Sequence, residues 1–273
     1  MQFALSTYLF VNERLSSHIL DQILGAGIRE IEIFAARQHF DYHDENHVRD
    51  VAQWFNDHGV ALHSLHAPLF SDRDWGRSGG LAISVAHLER RLRIESMDEI
   101  KCAIAIAEHL PFRYLILHMG VPNEEYDLRK FDAALTSIEH LKIFAKERGA
   151  QVLLENIPNE LSTPERLLQF LHYTRLDLKF CFDTGHAHMA GGVQPAFQTL
   201  KDRIVSTHVH DNRREKDDHL MPFDGDIDWV QTMRDFRAAD GEFPILFALR
   251  SYGLEVSSLA RVAEVMQQME KIF

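Results

Sequence analysis

The feature that most restricts the fold of this chain is an end-to-end alternation of short β-rich segments with longer segments of helical periodicity. Eight segments have the length and the residue types of strands, and turn residues bound them. The strands are predicted near Phe3–Thr7, Glu30–Phe34, Ala61–His66, Tyr114–His118, Val152–Glu155, Leu178–Asp183, Ile204–His208 and Ile245–Arg250. Apolar spacing of three and four residues predicts the helices around 19–24, 48–55, 94–107 and 131–145, and over Pro164–Tyr173, Pro195–Lys201, Trp229–Ala238 and Ser257–Lys271.

Strict alternation implies right-handed crossovers and a parallel sheet. Eight units in a chain of this length match a single (β/α)8 TIM barrel, an α/β fold that typically takes about 250 residues. An open doubly wound sheet is the alternative, but such a fold is expected to have a Gly-rich turn after the first strand. The sequence has Ser6-Thr7-Tyr8-Leu9 at that point. Because no Pro/Gly/Ser-rich linker and no internal repeat interrupts the pattern, residues 1–273 are predicted to form one domain.

Composition narrows the classes of protein to which the chain can belong. The formal net charge is −12, which disfavours broad binding to nucleic acid or to anionic membranes. The sequence contains no run of 18 apolar residues, so no membrane span is predicted. The first residues lack the pattern of a signal peptide. Two Cys make no disulfide framework, so a cytoplasmic location is expected. The 17 His are an unusual number, and His is the commonest metal ligand in proteins.

Five consecutive predicted strands end in residues that can bind a first-row metal ion. In a barrel, alternate strand residues point inward, and the carboxyl ends of all the strands meet at one mouth. The inward-facing terminal residues of strands three to seven are His66, His118, Glu155, Asp183 and His208. His186, Asp217 and His219 follow just beyond these strands and would complete a cluster. Mixed imidazole and carboxylate ligands favour Zn, Mn, Fe or Co over Ca or Cu(I).

The chain resembles the sugar phosphate isomerase/epimerase superfamily, whose xylose isomerase-like barrel is shared with endonuclease IV. The resemblance covers most of the chain in the family's order. It rests on His63-Ser64-Leu65-His66-Ala67-Pro68, Leu117-His118-Met119-Gly120, Leu154-Glu155-Asn156, Phe182-Asp183-Thr184-Gly185-His186-Ala187, Thr207-His208-Val209-His210-Asp211, and Asp218-His219-Leu220 running to Gly225-Asp226-Ile227-Asp228-Trp229.

This resemblance implies a divalent metal cofactor, with Zn or Mn preferred over Co or Fe. In the isomerase branch, Glu155, Asp183 and His208 would bind one catalytic ion. In the endonuclease branch, a second ion would be held by His66, His118 and Glu155, and a third by His186, Asp217 and His219. The implied substrate is a sugar or a sugar phosphate, and a homo-oligomer is possible.

The isomerase branch implies proton transfer through an enediolate intermediate, with the ion as Lewis acid and Glu155 as the candidate base. His186 and His210 are candidates for a proton shuttle or for holding a sugar hydroxyl. The candidate substrate-binding residues are Glu32, Trp75, Lys179 and Arg250. Trp75 belongs to the long connection Pro68–Ala86, which could close over the site. Lys179 is otherwise a lysine of the barrel interior, and Arg250 either meets an anionic substrate or pairs with a neighbouring acid.

The chain departs from the family's pattern on the eighth strand. The family's metal-binding and proton-transferring Glu falls at Ala248, and a methyl group can do neither. Glu255 in the next loop is the residue that could take its place. Three alternatives to a metal-dependent isomerase or epimerase therefore remain open. They are an endonuclease IV-like phosphodiesterase on abasic DNA, a lyase or dehydratase that needs one base, and a non-catalytic sugar-binding protein.

Overall fold

Eight parallel strands form the centre of the protein. The computed structural model describes residues 1–239, 241–251 and 259–272. The strands pair in the order β7-β6-β5-β4-β3-β2-β1-β8, and a parallel bridge between Val209 and Phe247 brings the two ends of the sheet together. The fold is therefore a (β/α)8 TIM barrel, as the alternation predicts. The strands are β1 (Phe3–Ser6), β2 (Glu30–Phe34), β3 (Ala61–His66), β4 (Tyr114–His118), β5 (Gln151–Glu155), β6 (Lys179–Asp183), β7 (Ile204–His208) and β8 (Ile245–Phe247).

Helices follow the strands on the outside of the barrel, and several begin at the capping residues that the sequence offers. Asp44 accepts hydrogen bonds from the backbone N–H groups of Asn46 and His47, and Thr163 caps a helix whose first residue is Pro164. The described helices are α1 (Ser17–Gly25), α2 (Glu45–His58), α3 (Arg90–Ala105), α4 (Leu128–Lys146), α5 (Pro164–Thr174), α6 (Thr184–Met189), α7 (Val193–Leu200), α8 (Trp229–Arg237) and α9 (Leu259–Ile272). None of them combines the length and the apolar composition that a membrane span requires.

The two faces of the strands pack into separate cores. Leu115 and Leu117 of β4 and Phe180 and Phe182 of β6 belong to the large outer core between sheet and helices. A small inner core fills the barrel, and it consists of Tyr114, Ile116, Leu153 and Cys181, with Val205 against it. The inward and outward parity predicted for strands four, five and six is confirmed. The last inward residue of each strand is thereby directed to the carboxyl-terminal mouth.

Two differences from the predicted elements lie close to that mouth. Strand β8 ends at Phe247 rather than Arg250. The Ala248 N–H still bonds the Val209 carbonyl as part of the bridge that closes the sheet, whereas the Arg250 N–H bonds the His219 carbonyl. The chain thus leaves the sheet and joins the loop after β7. An additional short helix, α6, follows β6 directly, since the Asp183 side chain accepts from the His186 N–H and caps it. The predicted start of the last helix at Ser257 lies outside the described residues.

Candidate metal centre and substrate cavity

A cavity opens at the carboxyl ends of the strands, with about 550 Å³ of empty space including its mouth. Its floor is polar, and its walls are apolar and aromatic. Ala248, the position at which the resemblance leads one to expect a carboxylate, lies in the lining. The full lining is Ser6, Tyr8, Glu32, Phe34, His66, Leu69, His118, Pro122, Glu155, Ile157, Pro158, His186, His208, Asp217, His219 and Ala248.

Glu155, the last residue of β5, is the centre of the polar floor. Its Oε2 lies 3.1 Å from His118 Nε2 and 3.5 Å from His66 Nε2, and its Oε1 lies 3.1 Å from His208 Nδ1. The side chain of Glu155 is 1 % exposed. These contacts follow from the sheet, because β3 and β4 precede β5 on one side and β7 lies two strands away on the other, with β6 between. These three imidazoles share the single buried carboxylate with a fourth, that of His186.

A second group of contacts is centred on Asp217, in the loop after β7. Its Oδ2 lies 3.2 Å from both His186 Nε2 and His219 Nε2. His186 joins the two groups, because its Nδ1 lies 3.3 Å from Glu155 Oε1 and 3.5 Å from Asp183 Oδ1. The floor is therefore one continuous network of carboxylates and imidazoles.

Local structure holds Asp183 and His186 in place. The side chain of Asn156 bonds both backbone polar groups of Asp183, with both distances at 2.9 Å. The backbone carbonyl of Asn156 accepts from His186 Nδ1 at 3.0 Å. Gly185 leaves room for an imidazole, since a Cβ there would stand 1.9 Å from His210 Cε1. His210 in turn bonds Asp183 through Nε2 at 3.1 Å. The short Asp-Thr-Gly-His motif thus positions two candidate ligands at once.

Asp211 organises the loop that carries Asp217 and His219. Its buried carboxylate accepts hydrogen bonds from the backbone N–H groups of residues 212, 223 and 227 and from Trp229 Nε1. His219 has a φ of 50°, in the left-handed region that non-glycine residues seldom adopt. Its Nδ1 bonds the Ala248 carbonyl and its ring stacks on His210 at 3.9 Å between centroids. These contacts fix the His219 ring over the floor.

The electrostatics of the floor favour charged pairs in the metal-free protein. Burial alone would raise the pKa of Glu155, but His208 and His118 beside it hold that pKa well below its usual range. Burial opposes a charge on His186, yet Asp183 and Asp217 raise its pKa well above the ordinary value. In the same way, burial would raise the pKa of Glu32, and the adjacent His208 lowers it to about 2.

The donor atoms fit a metal ion. Three sets of side chains each bring their ligand atoms within 4.8 Å of one another: His66 with Glu155 and His208; Glu155 with Asp183 and His186; and His186 with His210, Asp217 and His219. Two buried atoms, His210 Nδ1 and Asp217 Oδ1, have no hydrogen-bond partner among the described residues. Buried imidazole and carboxylate donors at this spacing are the set that Zn, Mn, Fe or Co takes.

Comparison with known proteins assigns the chain to a family. The profile of the xylose isomerase-like TIM barrel family matches residues 20–269. The chain belongs to this family. An uncharacterized protein, y4fM of Sinorhizobium fredii, is 26 % identical over 231 residues, which are 80 % of this chain and 68 % of that protein.

Solved structures share the barrel over its whole length. A D-tagatose 3-epimerase-like protein superposes with a TM-score of 0.78 at 22 % identity, covering 100 % of this chain and 98 % of its own. The IOLI protein, solved with a bound zinc atom, superposes with a TM-score of 0.75 at 16 % identity, covering 100 % of this chain and 96 % of its own. At these identities the likeness shows the fold.

The structure places the eight candidate ligands in or against this family's barrel mouth. Seven of them line the cavity, and Asp183 lies directly beneath, with its Oδ2 3.8 Å from His208 Nδ1. Among the candidate catalytic residues, Glu155 and His186 line the cavity, whereas His210 stands behind His219 and outside the lining. The alternative carboxylate considered for strand eight, Glu255, lies outside the described residues.

The four candidate substrate-binding residues are placed very differently. Glu32 is buried in the cavity floor. Trp75 contacts the cavity wall through Tyr8 and Phe34, at 5.8 and 5.9 Å between ring centroids, but does not line the cavity itself. Lys179 is the first residue of β6, about 13 Å of strand below Asp183, which agrees with a lysine of the barrel interior.

Arg250, the last of these four residues, does not line the cavity either. Its side chain is exposed, and its backbone N–H donates to the His219 carbonyl. The residue therefore adjoins the mouth of the barrel without forming part of the cavity.

Several residues of the site have roles that the sequence did not indicate. Tyr8 forms part of the aromatic wall, packed against Phe34 at 4.7 Å and against the His219 ring at 4.9 Å between centroids. Asn156 and Asp211 position ligands rather than bind them. Both stand inside the quoted motifs, directly after Glu155 and His210, and that adjacency is the signal that could have identified them.

Proposed function

We propose that this protein is a metal-dependent isomerase or epimerase that moves a proton between carbon atoms of a small sugar. The observation that carries this proposal is the shape of one cavity. Its floor offers Glu155, His66, His118, His186 and His208 to an ion, and its walls offer aromatic and aliphatic groups to a carbon skeleton. Family membership and the epimerase-like fold support the same class of substrate.

We infer that a divalent ion is held by Glu155, Asp183 and His208, with His66 next to this set. Such an ion supplies Lewis acidity, which lowers the cost of negative charge on a substrate carbonyl oxygen. The chain contributes the proton transfer and the positioning. Glu155 is the group proposed to accept the proton bound to the carbon next to the carbonyl. Asn156 holds the Nδ1 of His186, so this imidazole would orient a substrate hydroxyl through Nε2, in place of the contact with Asp217.

The methyl group at Ala248 favours isomerisation over epimerisation. Inverting a carbon centre requires removal of the proton on one face and its return on the other, which two groups on opposite sides perform. A single carboxylate such as Glu155 can instead take the proton from one carbon and return it to the next on the same face. The same single base would serve a lyase or dehydratase, which is therefore the nearest competing reaction.

Solvent exchange tests the proposal whichever sugar is formed. The protein is loaded with Zn²⁺ or Mn²⁺, incubated in D2O with a panel of ketoses, and the sugars are examined by NMR. Deuterium at a carbon next to the carbonyl, dependent on the ion and abolished in Glu155→Gln, supports the proposal. Full metal occupancy with no exchange into any ketose contradicts it, and loss of water from the sugar instead identifies the lyase reaction.

A second candidate function, cleavage of abasic DNA, is favoured by one observation. Asp217 lies between His186 and His219, an additional set of donors that a one-ion isomerase does not need. Against it, no Lys or Arg occurs among the described residues that line the cavity. Incubation of the Zn²⁺-loaded or Mn²⁺-loaded protein with a duplex carrying one abasic site decides this case. Nicking at that site, with no exchange into sugars, would replace the isomerase proposal.

A further inference from the structure

Glu32 is a buried carboxylate whose two oxygens are used unequally. Oε2 accepts a hydrogen bond from Ser64 Oγ at 2.7 Å and lies 3.1 Å from His208 Nε2. Oε1 is equally buried but has no hydrogen-bond partner among the described residues. The residue as a whole is 0 % exposed and lines the cavity. A buried carboxylate oxygen without a donor is costly, so the occupant of the cavity is expected to supply one.

The strand register places Glu32 beside the gap on strand eight. Ser6 of β1 pairs with Glu32 of β2, and Leu5 pairs with Phe247 of β8. Ala248, one residue beyond Phe247, is therefore level with Ser6 and Glu32 around the barrel. Two small side chains thus adjoin the carboxylate, and both line the cavity. The space that they leave adjoins Glu32.

The fixed charges around this space disfavour an anion next to Glu32. Three carboxylates line the cavity, and no Lys or Arg does among the residues that the structure describes. The remaining residues of the chain, 240, 252–258 and 273, include no Lys or Arg in the sequence. Arg73, on the long loop after β3, is 75 % exposed and pairs with Asp41 at 3.4 Å. A phosphate next to Glu32 would meet like charge, and the nearby imidazoles of His208 and His186 are already paired with carboxylates of the site.

From these contacts, and on the basis of the function proposed above, we propose that Glu32 is the specificity-determining residue of the cavity. Its Oε1 accepts a hydrogen bond from a substrate hydroxyl, and the site thereby selects a neutral polyhydroxy ketone over its phosphate ester. A hydroxyl is a donor that the carboxylate can use, whereas a phosphate dianion has only acceptors at neutral pH. A site built around a buried polar group discriminates strongly against a ligand that leaves the group unpaired.

Binding measurements on the zinc-loaded protein test this proposal directly. The probes are D-fructose, D-tagatose and L-ribulose, each compared with its terminal phosphate esters by calorimetry. The wild type is expected to bind at least one neutral sugar at least tenfold more tightly than its esters. In Glu32→Gln this preference should fall to less than threefold while zinc remains at the wild-type stoichiometry. Glu30→Gln is the matched control, because it removes a carboxylate from the same face of β2 at the other end of the barrel.

Each remaining outcome contradicts a different claim. Equal binding of a sugar and its ester by the wild type, together with deuterium exchange, overturns the role of Glu32 and leaves the proposed isomerase intact. Loss of zinc from Glu32→Gln with an unchanged sugar preference shows that Glu32 acts only by orienting His208. Binding of none of the neutral sugars, and exchange into none, overturns the proposed function and this inference with it.

Discussion

The indole of Trp229 donates a hydrogen bond to the buried carboxylate of Asp211, with Nε1 2.7 Å from Oδ2. The two residues are 18 positions apart, and the segment between them carries both Asp217 and His219. Asp211 also holds the backbone N–H groups of residues 223 and 227, so one carboxylate closes the loop from its two ends. The geometry of the Asp217 cluster therefore depends on a residue that binds no ligand.

Asp211→Asn is expected to lower the free energy of unfolding by about 1–3 kcal/mol, because an amide cannot satisfy all the buried donors. Trp229→Phe should cost less, about 1–2 kcal/mol, since it removes one donor and leaves the carboxylate three others. Urea unfolding of the two single variants and the double variant measures both losses and their coupling. If the losses of the two single variants add up to that of the double variant, the hydrogen bond between Asp211 and Trp229 contributes no coupling free energy.

The barrel is predictable from the sequence because each strand and each helix has its own characteristic spacing of apolar residues. Inward and outward parity depends on successive residues of one strand, so Glu155, Asp183 and His208 can be assigned to one mouth without a structure. The position of a residue along the barrel axis depends on the register between neighbouring strands. Inward and outward parity within one strand gives no information about that register. Lys179 and Glu32 both point inward by parity, and the structure places only Glu32 in the cavity.

Residues that position the candidate ligands, such as Asp211, are not predictable from the sequence for a related reason. The partners of Asp211 are backbone N–H groups and one indole N–H up to 18 residues away, and no local periodicity marks them. The end of β8 is predicted three residues too far along the chain, since Ala248, Leu249 and Arg250 continue a strand-like pattern. In the structure the backbone N–H of Arg250 bonds the His219 carbonyl in the loop after β7 instead. Such tertiary contacts override local strand propensity.

Removal of the central carboxylate should abolish tight metal binding. In Glu155→Gln we expect the affinity for Zn²⁺ to fall at least 100-fold, beyond the 10- to 100-fold loss typical of altered partners of a ligand. Elemental analysis after dialysis measures the stoichiometry. Thermal unfolding gives a second readout, because an ion at 100 times its Kd stabilises the native state by about 2.7 kcal/mol. Glu139→Gln, an exposed carboxylate on α4, is the control and should keep the ion.

His39 makes the stability of the protein depend on pH at a place remote from the cavity. Burial lowers its pKa to about 4, although the Glu13 carbonyl 2.6 Å from its Nδ1 opposes that shift. Because the folded-state pKa lies below the ordinary value of about 6.5, the unfolded chain takes up a proton in this range. The contribution of neutral His39 to the free energy of unfolding is fully present above pH 6.5. This contribution, on the order of 3 kcal/mol, is lost as the pH falls towards 4.

The difference between wild type and His39→Gln in the free energy of unfolding isolates this effect from those of other histidines. That difference should shrink as the pH is lowered from 7 to 4.5, measured by urea unfolding of the metal-free proteins. NMR titration of the His39 Cε1–H gives an independent check on the native protein. A normal titration midpoint near 6.5, or a difference that stays constant with pH, would refute the assignment.

Ala248→Glu tests whether the gap on strand eight limits the affinity for the ion. Ala248 lines the cavity, and its carbonyl is held by His219 Nδ1, so the backbone at this position is already tied to the candidate centre. If the proposed ion is held by Glu155, Asp183 and His208, a carboxylate added here would give it a further ligand, and we expect Zn²⁺ affinity to rise on the order of tenfold. Ala248→Gln is the matched control, because it adds nearly the same volume without the charge, and competition with a chelator measures both variants. A gain shared by the glutamine variant would assign the effect to packing, and no gain in either would show that the native donors already complete the coordination of the ion.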